Sequence, residues 1–343
     1  MLNLPSDIKY RAYIGELADD PGLALQAGLE FIHWDKYVNK KSKVFVKPNF
    51  TFPYYKEGVT TNPEFLKRLL ELLKSKADTV IVGESDGGNH SFTAEDAFQG
   101  HNMYQICKET GAELVSLSTL PAETIESEVL GKKIRVQLPK LLLEEIDCFI
   151  SVPVLKIHVA TTVSLSLKNS WGCVPDMMRC LQHQNLIYKL ALIAKLLKPK
   201  IVVIDGTYAL NRHGPMYGDA VRTDLVLVAD NTVAADALGA RILGFSPQEV
   251  KSIAVAERAG LGSTRLEDVE TNRDWRDYKR QFQIEQTLID RGYSLLFYSD
   301  TLARLVMASP LTPAIRKVAG IFRTSAEKEL ASQLGKQKTL GPY

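Results

Sequence analysis

The chain has little cysteine, and what it has is scattered. Its four cysteines, Cys107, Cys148, Cys173 and Cys180, form no CxxC pair in 343 residues. That spacing writes neither a zinc ribbon nor an iron–sulfur cluster motif, and it fits a reduced, cytoplasmic protein. The opening MLNLPSDIKYRAYIGEL has no basic stretch leading into an apolar core, which argues against a secretory signal. No uncharged apolar run reaches the roughly 18 residues that a spanning helix needs. Charge is nearly balanced, with 42 Lys plus Arg against 40 Asp plus Glu, so no nucleic-acid partner is expected.

What is present reads as an α/β fold. Val44 to Pro48, Thr79 to Gly83 and Glu113 to Leu117 are short apolar strands separated by helical stretches. The repeat β-α-β-α-β implies a parallel or mixed sheet with right-handed crossovers. Asn62 and Pro63 mark a helix start, and Phe65, Leu66, Leu69, Leu70 and Leu73 give it one apolar stripe. SEVLGKKIRVQLP reads as a hairpin around Gly131, and Lys200–Asp205 and Asp224–Ala229 as later strands joined by a long glycine-rich loop, GTYALNRHGPMYGDAVRT; residues 1–43 read as a preparatory segment with a helix in PGLALQAGLEFIHWDKYV. The spacing predicts Rossmann-like units in two lobes around a cleft over residues 1–262, the second lobe beginning near 150–200. A helical extension follows over 263–343. Its stretch from Tyr293 to Arg323 is apolar with basic punctuation, suited to packing on its own domain, to an oligomer interface or to contact with a membrane surface.

The chemistry concentrates between Asp147 and His183. A buried strand is expected to stop at Pro153 and open into a connection carrying Lys156, His158, Lys168, Asn169, Cys173, Asp176 and His183. Ligands of open α/β sheets sit beyond the carboxyl ends of the strands, where this connection falls. Other strand ends supply Lys47 and Asn49, and the glycine-rich GESDGGNH with Gly87, Gly88 and His90. That corner is read either as an anion cradle or as a plain tight turn. His90, His101, His158, His183 and His213 are read as lying outside the strands, which suggests a shared cleft. Two histidines can serve as acid and base, or imidazole can bind a divalent metal, and the residues alone do not separate these uses. Lys168 sits in apolar VSLSLKNSW, where desolvation would lower its pKa for covalent chemistry; as a cation it would hold a carboxylate or phosphate.

The pieces VFVKPNF, GVTTNPEFL, VIVGESDGG, FISVPVLKIHVATTVSLSLKNSWGCVPD, IVVIDGTYALNRHGP and ADNTVAADALGARILG resemble the DUF362 family. A more distant resemblance is to the lactate racemase family, which uses a nickel-pincer nucleotide. By that resemblance His90 and His158 would be acid and base, Lys168 the cofactor anchor and His183 a metal ligand. The glycine-rich approach to the lysine in that family is replaced here by TTVSLSLKNS.

Two classes of function follow. The first is an enzyme acting on a small polar acid by proton or hydride transfer, racemase- or isomerase-like. Its catalytic residues would be His90, His158 and Lys168, with Lys47, Asn49, Gly87, Gly88, Lys168 and Asn169 binding ligand or cofactor and His183 binding metal. The second is a protein that binds a metal or a small anionic molecule without chemistry of its own, or an accessory to an oxidoreductase.

Overall fold

The structure is a computed structural model describing residues 9–17, 20–296, 299–321 and 325–337. In chain order the strands are β1 (Tyr10–Glu16), β2 (Lys43–Pro48), β3 (Thr79–Glu84), β4 (Glu113–Ser116), β5 (Ala122–Val129), β6 (Lys132–Pro139), β7 (Cys148–Val152), β8 (Val154–His158), β9 (Thr162–Val163), β10 (Ile201–Asn211), β11 (Asp219–Ala229) and β12 (Val269–Thr271). The α-helices are α1 (Pro21–Phe31), α2 (Pro63–Lys76), α3 (Ala94–Gly100), α4 (Met103–Thr110), α5 (Ser166–Asn169), α6 (Leu186–Leu197), α7 (Thr232–Ile242), α8 (Lys251–Arg258), α9 (Leu288–Leu296), α10 (Asp300–Met307), α11 (Thr312–Ile321) and α12 (Ser325–Gln337).

The expected α/β class holds. One ten-stranded sheet runs in the order β12-β1-β11-β10-β7-β2-β3-β4, with β8 paired onto the far end of β10 and β9 onto β8. Its central strands are parallel, and β11 lies antiparallel to both β10 and β1. Strand alternation sorts the core onto two faces. Val44 and Val46 point into a cluster with Leu25, Leu29, Leu66, Leu69 and Leu70 of α1 and α2. Phe45 between them points to the other face, with Leu190 and Ile193 of α6. Helix α2 begins as the sequence predicts: the Asn62 side chain accepts the N–H groups of Glu64 and Phe65, and Pro63 follows it.

Four expectations are corrected. The strand of residues 147–154 does not simply end at Pro153; it breaks there and resumes as β8, so Lys156 and His158 lie on a strand. Proline lacks the N–H that would continue a ladder, while its carbonyl still accepts from Asp205 N–H at 2.8 Å. The glycine-rich loop expected at 206–223 is largely a long hairpin, β10 pairing β11 from Asn211↔Asp219 inward. Residues 1–43 contribute β1, which Asp230 fastens by accepting Arg11 N–H at 2.8 Å. Beyond residue 262 the chain is not wholly helical, because Val269–Thr271 adds an edge strand to β1.

Candidate functional site

The chain leaves β2 for β3 and β4 on one side, then returns as β7 on the other side of β2. Order reverses between β2 and β7, and such a reversal opens a crevice at the carboxyl ends of the strands. Past Pro48 and Val152, which are opposite each other in register, β2 turns away while β8 continues along β10. The cavity left between them has a volume of about 100 Å³. Lys47, Asn49, Gly87, Gly88, His158, Lys168 and Asn169 all line it, joined by Arg179 and Trp171. His90 and His183 are not on its wall.

Not all of these side chains are available to a ligand. Lys47 is buried and paired to Glu84 at 2.7 Å. Glu84 also accepts N–H groups from Phe50 at 3.1 Å and Ser85 at 3.0 Å, so the pair is neutral and fully partnered. Gly172 explains itself here, since a Cβ at that position would sit 2.9 Å from both Glu84 Oε1 and Lys47 Nζ. The charge expected from Lys47 is therefore spent inside the protein. Asn169 donates to the Lys47 carbonyl at 2.9 Å and to Ser151 Oγ at 3.2 Å, which fastens α5 across β2 and β7. Asp236 holds the start of that same helix, accepting the N–H groups of Ser166 at 2.7 Å and Leu167 at 2.9 Å. Burial raises the Asp236 carboxyl to about 7.

Lys156 sits behind the wall. It is fully buried and donates to Val59 O at 2.6 Å and Asn49 Oδ1 at 3.1 Å. Both acceptors are uncharged, so burial and the nearby Lys168 push its pKa well down. Lys168 itself is half-buried and makes no ion pair or hydrogen bond among the described residues. Burial, and then Arg179, lower its pKa from 10.5 to about 8. The crevice thus holds more cations than carboxylates.

His158 closes β8 and is buried. Burial and the neighbouring lysines push its pKa well below 6.5, so the ring is neutral. Its Nδ1 accepts Ala160 N–H at 3.0 Å, which leaves the ring proton on Nε2. His158 is consequently a hydrogen-bond donor through Nε2.

The shared cleft expected for five histidines forms around one of them. His90 is exposed, at the end of the short 88–90 turn. His101 is buried and stacked on Phe50 with ring centroids 4.0 Å apart, its Nδ1 bonded to Ala97 O. His213 faces Glu285 O at 2.8 Å. His183 lies near Trp171, centroids 6.0 Å apart, and burial together with the Lys168 charge lowers its pKa to about 3. The GESDGG corner presents few open donors: Asp86 N–H goes to Ser118 Oγ, Gly87 N–H to Phe92 O and Asn89 N–H to Met177 O.

Sequence reasoning missed Glu84 and Arg179. Glu84 is the last residue of β3, which pairs beside the strand that carries Lys47. Nothing in DMMRC marks Arg179, which comes to the wall on a short 3-10 turn, Arg179–Gln182.

Fold and crevice define an α/β protein with a positively charged crevice at the switch point of its sheet. The chain belongs to the DUF362 family, a domain of unknown function, whose family model matches residues 44–241. Over 128 residues it is 31% identical to a thylakoid-associated protein of Synechocystis, covering 35% of this chain and 40% of that protein. Among solved structures it is similar to the lactate racemase apoprotein from Thermoanaerobacterium thermosaccharolyticum, at 14% identity and TM-score 0.46, over 70% of this chain and 58% of that one. A protein from Thermotoga maritima aligns over 60% of this chain and 55% of its own, at 13% identity and TM-score 0.34.

A nickel-pincer nucleotide fits these residues poorly. Of the residues the resemblance assigns to that group, Lys168 and His158 line the crevice while His90 and His183 do not. Among the described residues no group of three or more His, Cys, Asp or Glu side chains could hold a metal.

Proposed function

We propose that the crevice binds a small organic anion bearing a carboxylate or phosphate, and that the protein is an enzyme moving a proton on that molecule. The observation that carries this reading is the amine of Lys168, half-buried on the cavity wall beside Arg179 with no anionic partner among the described residues. A cation kept from water without a counter-charge is costly to the fold, and an anionic ligand would remove that cost.

The roles follow from protonation. Arg179 is suited to the anionic end of the substrate. Lys168, with its pKa lowered to about 8, has an accessible neutral amine and is suited to take a proton from the carbon next to an acid group. His158 offers Nε2–H to the oxygen on which charge develops, as a preorganised donor. This replaces the histidine pair His90 and His158 by the pair Lys168 and His158.

The test is deuterium exchange. Small 2-hydroxy and 2-amino acids incubated with the protein in D2O should gain deuterium at the α-carbon, and Lys168→Met should abolish the exchange. Exchange undiminished in that variant would remove the base assigned here. A second reading, binding without chemistry, rests on how many crevice groups are spent on one another, as with Lys47 and Glu84. Saturable binding of inorganic phosphate or a small carboxylate, with no exchange on any acid, would favour it.

A further inference from the structure

The C-terminal helices expose aliphatic side chains where a surface helix normally carries polar ones. Nine large hydrophobic residues are exposed among the described residues, and six of them, Leu288, Leu302, Leu305, Leu311, Val318 and Ile321, lie on or beside α9, α10 and α11. Helix α10 shows how this arises. Ala303, with no exposure, packs against Leu181 and Leu296, with Val306 and Met307 beside it, so the inner stripe is already satisfied. Leu302 and Leu305, three residues apart, form a second apolar stripe facing outward. Leu311, Val318 and Ile321 repeat at helical spacing on the next helix. Exposed aliphatic side chains gathered on one segment of the chain mark a candidate contact surface.

Charge on the same helices is one-sided. The two carboxylates are engaged within the chain: Asp300 accepts Gln184 N–H at 3.0 Å and Asp290 accepts Thr287 N–H at 2.9 Å. Arg291, Arg304 and Lys317 are exposed and form no ion pair among the described residues. Among the described residues no helix is long and apolar enough to cross a membrane. Short amphipathic helices with an aliphatic face and basic flanks are built to lie in the interface of an anionic bilayer.

We infer that α10 and α11 form a docking surface for an anionic lipid bilayer, entering the headgroup region through Leu302, Leu305, Val318 and Ile321 with Arg304 and Lys317 beside the lipid phosphates. This surface is separate from the crevice and stands or falls independently of the proposed chemistry.

Flotation of the full chain with vesicles tests it. Binding to phosphatidylcholine vesicles containing phosphatidylglycerol should exceed binding to phosphatidylcholine alone by about tenfold and fall as salt is raised. Changing Leu302, Leu305, Val318 and Ile321 together to serine should abolish flotation, and since all four are exposed the melting temperature should hold. The charge variant Arg304→Glu with Lys317→Glu should weaken binding to the anionic vesicles by about tenfold or more while leaving the small residual binding to neutral vesicles. A wild-type chain that stays unbound to anionic vesicles would overturn the inference, as would a serine variant that floats as wild type does. So would a wild-type dimer that the serine variant converts to monomer while neither floats, because the face would then belong to a second copy.

Discussion

Two hollows on this molecule gather positive charge, and they differ in what surrounds it. The groove between the β5–β6 hairpin and α10 has a volume of about 470 Å³ and carries Lys133, Arg135 and Arg304. The crevice at the end of β2 and β8 has about 100 Å³ and carries Lys47, Lys168 and Arg179. Those three groove cations are exposed, so water screens each one, while the fourth, Lys189, is buried and its amine donates to the Gln182 carbonyl. In the crevice Lys47 is sealed against Glu84, Lys156 stands behind the wall, and His158 is buried. Coulomb interactions gain severalfold in strength between water and a partly buried site, so the smaller hollow exerts the stronger pull on an anion. Size is a poor guide to a site; desolvated charge is a better one.

The sharpest way to test that contrast is to break one ion pair in each place. Glu84→Gln leaves Lys47 charged and buried, and should cost about 3–5 kcal/mol of unfolding free energy. Its counterpart beside the groove, the exposed Arg135–Glu126 pair at 3.8 Å, should lose less than about 0.5 kcal/mol in Glu126→Gln. Chemical denaturation of both variants measures the difference. Equal losses would show that the crevice is as wet as the surface.

Next in size comes ligand affinity. Lys168→Met should weaken binding of inorganic phosphate or a small carboxylate by about 30-fold or more, on the order of 2 kcal/mol. Lys133→Ala in the groove should change it by less than about twofold, as expected for a screened surface charge. Titration calorimetry on both variants decides the point, and a larger effect at Lys133 would move the site to the groove.

How far the sequence foreshadows this contrast depends on which contacts are local. The α2 start is legible because Asn62 and Pro63 act on the next few residues. The hairpin is legible because alternation surrounds Gly131, whose φ of 77° suits glycine. The break at Pro153 was not, since its consequence depends on β10 pairing with both halves. The β10–β11 hairpin looked like loop because Gly206, Gly214 and Gly218 punctuate it, and tertiary pairing outweighed that local signal. Within the site, Lys168 and His158 stood out as polar groups in apolar surroundings. The neutralisation of Lys47 could be read only from the pairing of β2 with β3, and the scattering of His90, His101 and His213 only from the fold.

The finest test is pH. Lys168 titrates near 8 where its ordinary value is 10.5, and burial is the main cause. Anion binding needs its charged form, so affinity should be highest below about 8 and decline as pH rises through that value. Stability should move the other way, because between about 8 and 10.5 the unfolded chain holds a proton that the empty folded protein has released, and unfolding therefore becomes harder as pH rises. Binding measured across this interval should lose its decline in Lys168→Met and shift it upward, beyond the measured range, in Lys168→Arg. A decline near 8 that survives both substitutions would belong to another group and would separate the crevice's charge from Lys168.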